Sequence, residues 1–318
     1  MEGATQTAPS PVRLAGGPIS WGVCEVPGWG VQLPPERVLA EMRAAGLTAV
    51  EAGPDGYLGG SAATISRLLA EYGLRLVGGF VPAVLHLPDE REASFGNIER
   101  LATLYAAAGA EILVSAVATD GAWSPRTPLA AAAWSAVFDG LDRLDQLAAR
   151  HGLRHALHPH VGTLVETADD VERIVERSDV GLCLDTGHLV LGGVDPVALA
   201  RDVSERIVHV HLKDVRTDLA DGLRRGELTL LEATRRGVFL PLGDGGAPIA
   251  KTIDVLGAAG YDGWYVLEQD TTLAENAPAN SETRPIDDTR RSLAYLRGLG
   301  LVDRAAPAGQ AREVSGTR

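Results

Sequence analysis

The chain has 318 residues, 45% of them hydrophobic, enough for one large buried core or two small ones. Its formal net charge of -13 lacks the basic footprint that a nucleic-acid backbone requires, so no nucleic-acid partner is expected. No apolar run approaches the ~20 residues of a membrane span, and the opening residues carry no basic, apolar leader.

The two cysteines, Cys24 and Cys183, are far apart and form no ligand-like pair, which argues against a disulfide scaffold and a cysteine zinc site. A globular cytoplasmic protein is the expectation. Of 29 basic residues only Lys213 and Lys251 are lysines.

Residues 1–12 read as a disordered leader and 303–318 as a flexible tail, with one domain over 13–302. That domain opens on an apolar strand pattern at 14–19, followed by a helical pattern over 35–45 that starts at Pro35 and stops at Gly46. The couplet then repeats: strand 48–52 with helix 64–72, strand 75–79 with helix 94–108, and strand 112–116 with helix 129–150. Strand 154–158 precedes helix 168–177, and strand 180–185 precedes helix 196–203. After strand 207–211 a long Gly/Arg-rich segment reads as an extended loop, partly helical over 221–235, before helix 249–259. Strand 264–268 and helix 287–299 complete the series.

Eight strands alternating with eight helices predict the α/β class and a closed (β/α)8 TIM barrel as a single domain. An open doubly wound sheet is the alternative, but no G-x-G-x-x-G or P-loop pattern supports it.

Barrel enzymes build their sites at the C-terminal ends of the strands. Strand two ends at Glu51, and strand five at His158-Pro159-His160. Strand six ends at Asp185-Thr186-Gly187-His188, strand seven at His209 to Asp214, and strand eight at Glu268-Gln269-Asp270. Alternation along the strands turns His209, His211 and Lys213 inward, with Asp185, Glu268 and His158 on the matching faces of their own strands.

His158, Asp185, His211 and Glu268 can therefore meet at the barrel mouth as two imidazoles and two carboxylates. That set suits a divalent metal: Mn²⁺ or Co²⁺ first, with Mg²⁺, Fe²⁺ or Zn²⁺ as alternatives. His209 sits one layer lower and reads as a buried hydrogen-bonded group. His151 and His155 lie at the opposite end and read as structural.

At these residues the chain resembles the xylose isomerase-like TIM-barrel superfamily of sugar isomerases, epimerases and dehydratases. The motifs are PISWG (18–22), AVEAGPDGYL (49–58), HPHVGT (158–163), LCLDTGHL (182–189), HVHLKDV (209–215) and GYDGWYVLEQD (260–270). Within the superfamily the chain is most similar to the inosose dehydratases. The resemblance implies metal ligands at Asp185, His211 and Glu268. Where the epimerases commonly place a strand-five glutamate, this chain has His158, so their paired-carboxylate device for moving a proton is absent. An elimination does not need that pair.

The resulting expectation is a metal-dependent hydro-lyase acting on a small cyclic keto-polyol such as an inosose. His160 or His188 would be the base, and Lys213 would neutralise the enolate oxygen or assist the departing hydroxide. Glu51 and Arg216 would hold substrate hydroxyls. Trp21 is placed beside them as a pocket wall, although it and Trp29 read equally as core. A metal-dependent sugar isomerase or epimerase, and a non-catalytic sugar-binding barrel subunit, stay open as alternatives, as does assembly into a homo-oligomer.

Overall fold

The computed structural model describes residues 12–274 and 285–302. Most of the expected leader, residues 1–11, and the expected tail, 303–318, lie outside the described residues. Val12 is described, and its N–H donates to the Leu301 carbonyl at 3.0 Å.

The chain runs β1 (Arg13–Gly16), α1 (Pro35–Ala45), β2 (Ala49–Glu51), α2 (Ala62–Tyr72), β3 (Arg75–Ala83), α3 (Pro88–Ala107), β4 (Ile112–Val117) and α4 (Ala131–Arg150). It continues through β5 (Arg154–Leu157), α5 (Ala168–Arg177), β6 (Leu182–Asp185), α6 (Thr186–Leu191), α7 (Pro196–Asp202) and β7 (Ile207–Leu212). An excursion follows, made of β8 (Asp214–Val215), α8 (Thr217–Arg224), α9 (Leu230–Arg235) and β9 (Phe239–Leu240). The last elements are α10 (Ile249–Ala258), β10 (Trp264–Leu267) and α11 (Pro285–Gly298).

Eight parallel strands close in the order β1-β10-β7-β6-β5-β4-β3-β2, the expected (β/α)8 barrel, and β8 pairs with β9 as a separate antiparallel ribbon. Among the described residues no helix is long and apolar enough to cross a membrane.

Alternation along the strands sorts the core into two regions. Val210, Leu212, Tyr265 and Leu267 belong to the main apolar cluster shared with the helices, whereas Ala15, Ala49, Val77, Trp264 and Val266 form a separate small cluster. At the N-terminal ends of the strands, Arg13 and Arg75 lie over the Trp264 ring at 4.1 and 4.4 Å from its centroid. Glu111 takes both guanidiniums, at 2.9 and 3.6 Å. This charged plate covers the end opposite the expected site.

Several boundaries differ from expectation. Strand one stops at Gly16, because Pro18 opens a single 3-10 turn over Pro18–Trp21. Helix α3 begins at Pro88, six residues earlier than its apolar rhythm implies, since proline and two acids suit a first helical turn. Helix α6 and the β8–β9 ribbon were not anticipated.

Candidate active site

The site is assembled by the ends of adjacent strands. Asp185 closes β6 and also caps α6, its Oδ1 accepting the N–H groups of Gly187 and His188, both at 2.8 Å. One carboxylate oxygen is thus spent on holding the turn, and Oδ2 remains for the barrel mouth. Strand register pairs Asp185 with His211 and His211 with Val266, so Glu268 follows two residues on along the same face of its strand. His158 is fixed at the end of β5 by its N–H to the Ser115 carbonyl, 2.7 Å. Glu268 has room because residue 17 is glycine: a Cβ there would lie 2.6 Å from Glu268 Oε1.

These groups converge without satisfying one another. His158 Nε2 lies 3.3 Å from Asp185 Oδ2, and His211 Nδ1 lies 3.2 Å from Glu268 Oε2 and 3.6 Å from Asp185 Oδ2. Yet Asp185 Oδ2, His211 Nδ1 and both ring nitrogens of His158 are buried with no aligned hydrogen bond. Buried polar atoms left unpaired cost free energy and call for an explanation. Asp185, His211 and Glu268 bring one ligand atom each within 4.8 Å of one another, with His158 beside Asp185, and two carboxylates with an imidazole are a donor set that fits a divalent cation.

Below this set, Glu51 is 4% exposed. The substrate-hydroxyl role expected of it does not match its place: its Oε1 accepts from His209 Nε2 at 2.7 Å and from His211 Nε2 at 3.2 Å. Accepting from Nε2 turns the Nδ1 lone pair of His211 toward Asp185 and Glu268, which is how an outer carboxylate orients a metal-binding histidine. Glu51→Gln is expected to fold normally but bind Mn²⁺ roughly 10- to 100-fold more weakly, read by titration of metal-stripped protein. Unchanged affinity would show that Glu51 only satisfies the two imidazoles.

Lys213 is 1% exposed and surrounded by acids. Its Nζ is 2.7 Å from Asp270 Oδ1, 3.1 Å from Glu268 Oε2 and 3.3 Å from Asp185 Oδ2. Burial disfavours the ammonium, but Asp185, Asp270 and Glu268 together outweigh it and hold the Lys213 pKa well above its usual value. The Lys213 stem crosses Gly187, where a Cβ would sit 2.8 Å from it, and the Lys213 N–H and carbonyl both bond the Thr186 hydroxyl, at 2.9 and 2.8 Å. The DTGH and HLKD segments therefore interlock.

Asp270 is a site residue that strand alternation does not assign; its place two residues beyond Glu268 is the signal in the sequence.

The two histidines expected as bases lie against each other, ring centroids 3.7 Å apart and planes tilted by 31°. The main chain of one residue, Val161, separates their roles. His160 Nδ1 meets the Val161 carbonyl at 2.7 Å and so must carry the proton, leaving Nε2 as a bare lone pair. The Val161 N–H donates to His188 Nδ1 at 3.3 Å, so neutral His188 carries its proton on Nε2, 3.7 Å from Asp270 Oδ2. Burial, then the positive neighbours, hold both pKa values well below the ordinary histidine range, so both rings are neutral. His160 is half-buried, while His188 is sealed.

Two other expectations are corrected. Trp21 is fully buried in the main core, its Nε1 donating to Glu41 on α1 at 2.8 Å, and is no pocket wall. Arg216 is exposed and paired with Asp218 at 2.6 Å, outside the cluster. His151 and His155 pair with Glu99 and Asp145 on the surrounding helices, at 2.6 and 2.5 Å.

The profile described as a xylose isomerase-like TIM barrel matches residues 39–299. The chain belongs to this family. It is 37% identical over 266 residues to the rhizopine catabolism protein MocC of Rhizobium meliloti, covering 81% of each chain. It is 31% identical over 296 residues to an inosose dehydratase of Geobacillus thermodenitrificans, covering 90% of this chain and 96% of the relative.

Among solved structures, a zinc-bound IolI protein superposes with TM-score 0.68 at 14% identity, over 91% of this chain and 98% of the other. A D-allulose 3-epimerase from Methylomonas sp. superposes with TM-score 0.65 at 16% identity, over 93% and 99%. At these identities the structural likeness speaks to the fold.

Proposed function

We propose that the protein is a metal-dependent hydro-lyase that removes water from a cyclic keto-polyol, an inosose, in the cytoplasm. The observation that carries the reading is Lys213, a buried ammonium beside the metal-binding set with a base-competent imidazole nearby. Similarity to inosose dehydratases over nine-tenths of the chain supports the substrate class.

Asp185, His211 and Glu268 would hold a divalent cation, Mn²⁺ or Co²⁺ for preference, with His158 beside Asp185, and the cation would supply a Lewis acid for the ketone and its neighbouring hydroxyl. His160 Nε2 takes the proton from the carbon beside the ketone. Lys213 Nζ gives a proton to the hydroxyl leaving the next carbon, since hydroxide is basic enough to accept one even from a firmly held ammonium. One C–H and one C–O bond break, a C=C bond forms, and water departs. Exchange with solvent returns the proton from His160 to Lys213. Asp270 positions the ammonium through one carboxylate oxygen, and the Nε2–H of His188 faces the other.

His158 also separates this chemistry from epimerisation. An acceptor and a donor on opposite faces of one carbon need a facing pair of proton carriers, and His158, held beside Asp185, leaves Glu268 without a facing carboxylate.

The test is incubation of metal-loaded protein with inososes and ketoses in deuterated water. A product lighter by one water supports the proposal. A product of unchanged mass with inverted configuration or a moved carbonyl would replace it with the isomerase reading.

Lys213→Arg is expected to lower kcat by roughly tenfold or more, about 1.4 kcal/mol of transition-state stabilisation, with fold and metal content retained. The planar guanidinium does not release its proton. Lys251→Arg, on the exposed side of α10, is the control and should stay within about twofold. Equal rates for both variants would remove Lys213 from the reaction.

A further inference from the structure

The proposed metal set lies above a second group of donors of different character. Cys183 is 1% exposed and has no disulfide partner. It sits two residues before Asp185 on the same face of β6, one layer deeper in the barrel, with His209 beside it on β7. Leu157 pairs with Leu182, so the next rung brings His158 alongside Cys183.

The donor atoms of His158, Cys183 and His211 all lie within 4.8 Å of one another, as do those of Asp185, His211 and Glu268. Among the described residues no donor set within that span joins Cys183 to Glu268. One cation therefore does not reach both.

We propose that His158, Cys183 and His211 form a second, softer cation position directly beneath the catalytic one, selective for thiophilic divalent ions such as Zn²⁺ and Cd²⁺. The inference rests on the reading of Asp185, His211 and Glu268 as the upper metal set. Two observations support it independently of that reading. Both ring nitrogens of His158 are buried and unpartnered, although one carboxylate oxygen lies nearby. And the two groups differ in chemistry: carboxylates dominate above, which favours harder ions, while a sulfur and two imidazoles lie below, which favour softer ones.

Binding releases the thiol proton to solvent and leaves the ion on the thiolate. His158, Cys183 and His211 are each at most 2% exposed, so an ion held there offers substrate no coordination position. It also draws His211 away from Asp185 and Glu268. A thiophilic ion in this position competes with the catalytic metal and inhibits.

The experiment is titration of metal-stripped full-length protein with Cd²⁺, followed by the ultraviolet thiolate-to-cadmium charge-transfer band. Wild type and Cys24→Ser should show the band. Cys183→Ser and Cys183→Ala should lose it, with circular dichroism confirming the fold. Cd²⁺ should bind the Cys183 variants roughly tenfold or more weakly, while Mn²⁺ affinity, read by electron paramagnetic resonance, stays unchanged. Cd²⁺ bound to wild type without the band overturns the proposal whatever the variants do, as does a band that survives Cys183→Ser. Mn²⁺ uptake in those cases leaves the upper set standing. Failure to take up either ion overturns both.

Discussion

His211→Ala is expected to leave a folded protein without its divalent cation and to lower kcat/KM by on the order of a thousandfold. The imidazole is central to the set: it lies between Asp185 and Glu268 on one side and Glu51 on the other. Removing it takes away one ligand and the group through which Glu51 acts. A Lewis acid contributes several kcal/mol to such a reaction, and about 4 kcal/mol corresponds to roughly a thousandfold in rate. Elemental analysis and steady-state kinetics on the same preparation check both parts. Chelator-stripped wild type should fall equally far and recover on adding Mn²⁺ or Co²⁺. Full activity in metal-free protein would defeat the metal reading outright.

Asp214→Ala is expected to cost about 3–5 kcal/mol of stability, the largest structural effect we anticipate outside the apolar core. The Asp214 carboxylate is 1% exposed and receives the N–H groups of Gly243, Gly245 and Ala247 at 2.9, 3.0 and 2.9 Å. It also receives the N–H of its neighbour Val215 at 2.9 Å. The glycine-rich loop before α10 thus wraps an internal anion, and residue 245 must be glycine because a Cβ would lie 2.4 Å from Asp214 Oδ1. Each buried donor left unpaired costs about 1–3 kcal/mol, and water entering the loop brings the total toward the lower end of that sum. Urea unfolding followed by circular dichroism measures the loss. Asp214→Asn, which keeps one acceptor oxygen, should lose less. A change below about 1 kcal/mol in Asp214→Ala would mean that the loop finds other partners.

The barrel was legible because its strands are short apolar runs punctuated by glycine, and helix and strand periods differ. Parity alone placed His158, Asp185, His211, Glu268 and Lys213 on inward faces, and those five side chains do come together. The misplacements have a common cause. Glu51 and Trp21 lie at the right height along the chain, but one points beneath the site and the other outward to α1, and depth within a barrel has no period to read. Arg216 follows Lys213 and Asp214 directly, but β8 carries the chain out of the barrel and turns it to solvent. Helix α6 is not legible because six residues, Thr186–Leu191, are too few to show a helical period after a strand, and the cap that starts it is a side chain also assigned to the metal.

The main chain of Val161 carries a consequence for engineering. Its carbonyl and its N–H fix opposite tautomers on two neighbouring rings, so which edge of each imidazole holds the proton is written into the backbone. Side-chain replacement at 161 leaves that polarity intact for every residue except proline, which has no N–H to give. With His160 as the proposed base, the facial selectivity of proton removal is a backbone trait. It should persist through extensive redesign of the side chains that choose the substrate, making this barrel a scaffold in which stereochemistry and specificity can be altered separately.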